Sequence, residues 1–149
     1  MSLPNLNREG ELPEGVHKAT IDEVVAQFGS GTVQREIVTA RLQRIYQLAK
    51  GTDHLQHFLI FGSYITAKPE PNDIDVVLVF DDDFNTLTCG EDVKKLLSHQ
   101  LAATEFGAST FWIRPSLLFL ETLDEFIKGW QVKRNGTRRG IVEVENDSQ

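Results

Sequence analysis

Two acids, Asp73 and Asp75, with one residue between them, stand at the start of the apolar run that ends at Phe80, and Gly62-Ser63 lies upstream with nine residues intervening. In an extended segment, side chains at i and i+2 share a face, roughly 7 Å apart. Two carboxylates so placed repel each other, and partly buried they either take up a proton or share a cation. Mg²⁺ (or Mn²⁺) suits such a pair, because it takes carboxylate oxygens together with substrate phosphates. A glycine directly after a buried strand lets backbone approach a ligand with no Cβ in the way. A helix opening at Ser63 would aim free N–H groups at phosphate oxygens. Lys68, in the loop between the two motifs, adds a cation. Together these residues suit metal-assisted chemistry on a nucleoside triphosphate, with Asp73 and Asp75 as metal-binding, catalytic acids and Gly62, Ser63 and Lys68 as phosphate contacts.

Those motifs need elements to hold them. Residues 57–61 and 74–80 are short apolar runs that read as buried strands, and the turn-rich segment between them contains Pro69 and Pro71. Upstream, residues 1–19 are rich in Pro, Gly and Asn and read as an irregular arm. Thr20-Ile21-Asp22-Glu23 has capping-box spacing and opens a short helix ending near Gly29. Residues 33–50 read as an amphipathic helix with Ile37, Val38, Leu42, Ile45 and Leu48 on one face and Arg35, Arg41 and Arg44 largely off it. Downstream, a helix is expected over 91–104, a third strand over 109–114, and a second capping-box helix from Thr122 to about Trp130. A tight turn at Asn135-Gly136 leads to an alternating edge strand over 139–145. This order implies an α+β (α/β-like) fold: one domain over 20–149 with a small mixed β-sheet flanked by helices.

Composition narrows the function. The 149 residues carry a net charge of −7, which argues against a protein built to wrap duplex DNA. The single cysteine, Cys89, excludes a disulfide framework. No stretch reads as a signal peptide or reaches membrane-spanning length, so a cytoplasmic protein without membrane contact is expected.

The stretch FGSYITAKPEPNDIDVVLVF, residues 61–80, resembles the motif of the polymerase-β-type nucleotidyltransferase superfamily, especially its minimal stand-alone bacterial members of the MNT or antitoxin type. The order of expected elements extends the likeness over roughly residues 33–120. The resemblance implies a nucleotidyltransferase fold and a role for Asp73 and Asp75 in holding Mg²⁺. It also implies contacts from Gly62 and Ser63 to the β- and γ-phosphates, and attack of an acceptor hydroxyl, on protein or RNA, at the α-phosphorus. It implies a third carboxylate from a later strand as well. The strand over 109–114 offers Ser109, Thr110, Phe111 and Trp112 and no acid, with Glu105 before it and Glu121 after it. A catalytically degenerate binding module is therefore the alternative, and a small helical HEPN-type toxin is the protein partner that the resemblance suggests.

Other chemically capable groups have simpler readings. Asp81-Asp82-Asp83 closes a strand, His54 and His57 lack the companions a zinc site needs, and Cys89 has no neighbouring base. Lys128, Lys133, Arg134, Arg138 and Arg139 form a C-terminal basic group beside Trp130, read either as a charged edge hairpin or as a patch for RNA or an acidic partner.

Overall fold

In a computed structural model that describes residues 3–146, five strands form one mixed sheet in the order β1-β5-β2-β3-β4. The elements run β1 (Val16–Thr20), α1 (Ile21–Phe28), α2 (Val33–Lys50), β2 (Leu55–Phe61), β3 (Ile74–Phe80), α3 (Glu91–Leu97), α4 (His99–Leu101), β4 (Ala108–Ile113), α5 (Leu123–Gly129) and β5 (Ile141–Glu145). β2 pairs antiparallel with β3 and with β5, whereas β3–β4 and β1–β5 are parallel. The expected α+β class, with a small mixed sheet flanked by helices, is the observed one.

Alternation along the strands divides the core. Phe58, Ile60, Ile74, Val76, Leu78 and Phe80 face α1, α2 and α3, where Val24, Leu42, Ile45 and Leu96 complete the main apolar layer. Leu59 and Val77 point to the opposite face and pack against Ile127 of α5. One short helix covers only part of that second face. The rest stays open, and the acids lie there.

Both capping boxes form. Thr20 and Thr122 each accept from the backbone N–H three residues on, and Glu23 and Glu125 return the bond. Elsewhere the structure corrects the sequence reading. Residues 16–19 are not irregular: they belong to β1, which pairs with β5 along its whole length. β5 is therefore an interior strand, and β1 takes the edge. The pairing joins segments more than a hundred residues apart, so no local pattern announces it. The helix expected over 91–104 breaks at Ser98, whose side chain caps α4, and continues as a π-type turn over Ala102–Phe106 that ends at Gly107 in the left-handed region.

Arg35 departs most from expectation. It is buried, whereas Ile37 is 43% exposed. Its guanidinium donates to the carbonyls of Phe28 at 3.0 Å, Tyr64 at 2.8 Å, Lys68 at 2.6 Å, and Thr66. Burial lowers its pKa, yet guanidinium stays charged under ordinary conditions. One side chain on α2 thus fixes the loop that follows Gly62-Ser63.

Candidate functional site

The site is built on the open sheet face. In register, Asp75 stands between Phe61 of β2 and Ser109 of β4. Asp73 lies just before β3, and its Oδ2 accepts from the Ser109 hydroxyl at 3.1 Å. Gly62 follows β2 directly. Its φ of +84° lies in the region glycine favours, and a Cβ added there would come within 1.9 Å of Asp75 Oδ2. A bare backbone at residue 62 is what admits the carboxylate.

These residues line one cleft of about 890 Å³ together with Ser63, Asn72, His99, Phe111, Trp130, Lys133, Arg134 and Arg139. Four of the five residues singled out in the sequence, Gly62, Ser63, Asp73 and Asp75, meet there. Lys68 does not. It is exposed and outside the lining, because Arg35 holds its carbonyl in the stapled loop. The cations of the cleft come instead from the C-terminal basic group.

Ser63 opens a single turn of 3-10 helix, Ser63–Ile65. Three residues sum no macrodipole of consequence, because that field needs many aligned peptides. What Ser63 offers is a half-buried hydroxyl with no hydrogen-bond partner among the described residues, beside the Gly62 backbone.

The electrostatics are bipolar. Burial, and then the charge of Asp73, push the Asp75 carboxyl up to about 6, opposed by the Ser109 hydroxyl, Arg139 and Arg134. Lys133 Nζ pairs with Glu11 at 2.7 Å, and Arg139 reaches the same carboxylate at 3.5 Å. Arg134 has no ion pair among the described residues and is exposed at the rim. The hairpin carrying these cations is closed by Gly136, with φ of +87°, and by the Lys133–Thr137 backbone bond. Buried Gln131 anchors its base: the side-chain oxygen accepts from Gly15 N–H at 2.6 Å, and the carbonyl accepts from Arg139 N–H at 3.0 Å.

Among the described residues, no third acid lines this cleft. The position beside Asp75 on β4 is Ser109. Glu105 lines a separate cleft with Arg41 and Arg44, and Glu121 is an exposed loop residue. Among the described residues, no group of three or more His, Cys, Asp or Glu side chains is placed to hold a metal ion. A cation here would have two carboxylates and otherwise oxygens from ligand or water, which fits the habits of Mg²⁺.

The remaining acids and histidines have structural roles. Asp81 accepts from His54 Nδ1 at 2.8 Å and from Asp83 N–H at 3.0 Å. Asp82 accepts from Ser116 N–H at 3.0 Å. His57 pairs with Glu143 across β2 and β5. Sequence reasoning missed Glu11 and Gln131 as supports of the cleft. Both act on partners over a hundred residues away, and neither lies in a pattern.

No described helix is long and apolar enough to cross a membrane. No curated protein and no solved structure matches the chain. A family model described as a family of unknown function, DUF6932, matches residues 4–145, and the chain belongs to that family.

Proposed function

We propose that the protein binds a nucleoside triphosphate with Mg²⁺ or Mn²⁺ and transfers its nucleotide to a hydroxyl acceptor on protein or RNA. The observation that carries this reading is the meeting, within one cleft, of the Asp73–Asp75 pair with Gly62-Ser63 and with the cations Lys133, Arg134 and Arg139. Asp73 and Asp75 would hold the metal, which when bound supplies charge neutralisation and orientation of phosphate oxygens. Gly62 brings its bare backbone against the Asp75 carboxylate, and Ser63 beside it would present a hydroxyl to a phosphate oxygen. Arg134, exposed and unpaired, neutralises charge on the leaving phosphates, which is where electrostatic stabilisation contributes most.

A second reading is favoured by the register itself. Ser109 occupies the β4 position next to Asp75, so the cleft has two acids. The same site then holds metal and nucleotide without turnover, as a binding module that could serve as the antitoxin-type half of a protein pair.

One experiment separates the two. The protein is incubated with labelled ATP, GTP, CTP and UTP plus Mg²⁺ or Mn²⁺, alone and with cell lysate, and binding is followed by calorimetry. Transfer of label that disappears in Asp73→Ala and Asp75→Ala supports the enzyme. Binding without transfer supports the module, and absence of binding to all four nucleotides rejects both.

A further inference from the structure

The part of the cleft beside the acids is aromatic. Phe61, Phe111 and Trp130 form a cluster: Phe61 and Trp130 ring centroids are 4.8 Å apart, Phe111 and Trp130 5.2 Å, and Phe61 and Phe111 6.2 Å. Phe126 closes the outer side of Trp130 edge-on at 6.0 Å, and His99 flanks Phe111 at 5.7 Å. Phe61 and Trp130 are half-buried in this packing. Phe111 is 40% exposed, and its open area faces the cleft.

Sheet geometry explains the placement. Ser109 and Phe111 lie two apart on β4 and so share a face. Ser109 reaches the acids, and Phe111 extends the same surface toward α5. α5 covers Leu59 and Val77 but stops at Gly129, leaving Phe111 roofed by no element among the described residues. On this edge strand Phe111 packs against Trp130 and Phe61 but keeps 40% of its surface open in the cleft that three cations also line, and that open part lacks a cover. A planar ligand with an anionic tail supplies one, because its ring covers Phe111 while its charge meets Lys133, Arg134 and Arg139.

We infer that Phe111, flanked by His99 and Trp130, is the stacking platform for the base of the nucleotide, and that it supplies the affinity distinguishing a nucleotide from a bare polyphosphate. This rests on the triphosphate reading of the same cleft. Base–aromatic stacking tolerates any base, since every base has a π-face. The platform therefore predicts little discrimination among ATP, GTP, CTP and UTP.

The test uses the full chain with Mg²⁺ and two probes, ATP and inorganic tripolyphosphate. The wild type is expected to bind ATP about tenfold or more tighter than tripolyphosphate. Phe111→Leu, which keeps apolar volume and the fold but removes the ring, should bring ATP down to the tripolyphosphate level and leave tripolyphosphate unchanged. Phe111→Ala should do the same. ATP, but not tripolyphosphate, should quench Trp130 fluorescence, with the signal absent in Trp130→Phe. Equal wild-type affinity for the two probes, or full ATP affinity in Phe111→Leu, overturns the stacking platform and leaves the phosphate site standing. Binding of neither probe by the wild type overturns both.

Discussion

The carboxylate of Asp75 fills the space that any side chain at residue 62 would need: Oδ2 lies 1.9 Å from where a Gly62 Cβ would be, and Gly62 holds φ at +84°. Two segments thirteen residues apart are therefore one unit. The glycine is required twice, once for its backbone conformation and once for the acid it admits.

Gly62→Ala should destabilise the protein by about 2–4 kcal/mol, combining left-handed strain with displacement of Asp75. Gly62→Ala in an Asp75→Ala background should cost less, because only the backbone strain remains. A double-mutant cycle in urea should give a coupling of about 1 kcal/mol or more. Additive single effects would mean that the two residues do not meet.

Asp75→Asn should stabilise the protein at pH 7.5 by about 2 kcal/mol, a figure reduced because the group keeps part of its hydration. The sign follows from the direction of the shift. The folded pKa, about 6, lies above the unfolded value, so the folded state binds this proton more tightly. Wild-type stability should fall as pH rises from about 4 to 6 and the Asp75 contribution should then level off, while the Asn variant lacks this component. Thermal melts across pH 4–8 check this. The same variant should lose Mg²⁺-dependent nucleotide binding.

Metal and proton compete for the same oxygens. The apparent affinity for Mg²⁺ with ATP should drop about tenfold per pH unit below 6 and flatten above it. Calorimetry from pH 5 to 8 gives the profile. A flat profile across that range would remove Asp75 from the ligand set.

Arg35→Lys should destabilise by about 3 kcal/mol or more, although it keeps the charge, because an ammonium cannot reach four carbonyls held in the plane of a guanidinium. Urea unfolding measures the loss. Release of the loop over 64–68 should also weaken nucleotide binding in the protein that remains folded.

Ser109→Asp puts a third carboxylate at the β4 position paired with Asp75. It should lower stability without metal through added repulsion, and recover it with Mg²⁺. If only a third acid limits turnover, label transfer should rise by about 10²-fold or more. Unchanged transfer with intact binding would favour the module.

Much of the fold was legible locally. The runs around 57–61 and 74–80, the 33–50 helix and both capping boxes depend on neighbours within a few residues, and the structure has all of them. The 91–104 helix was legible only in part, since Ser98 caps a new start rather than continuing the old one. Arg35 read as a surface residue because helical periodicity counts apolar side chains. It does not register a cation whose partners are backbone carbonyls of another segment. β1 escaped for a similar reason: its partner, β5, lies at the other end of the chain.

The acid pair, the bare Gly62-Ser63 step and the apolar strands between which they sit can be read from neighbouring residues alone, because strand alternation and glycine's lack of a Cβ are local properties. That Lys68 stays out of the cleft while Lys133, Arg134 and Arg139 line it is visible only once the chain is folded. The same holds for Ser109 as the β4 residue beside Asp75, and for Phe111 left open next to Trp130. Those outcomes depend on sheet register and on where α5 stops, and both are set by packing between segments far apart in the chain.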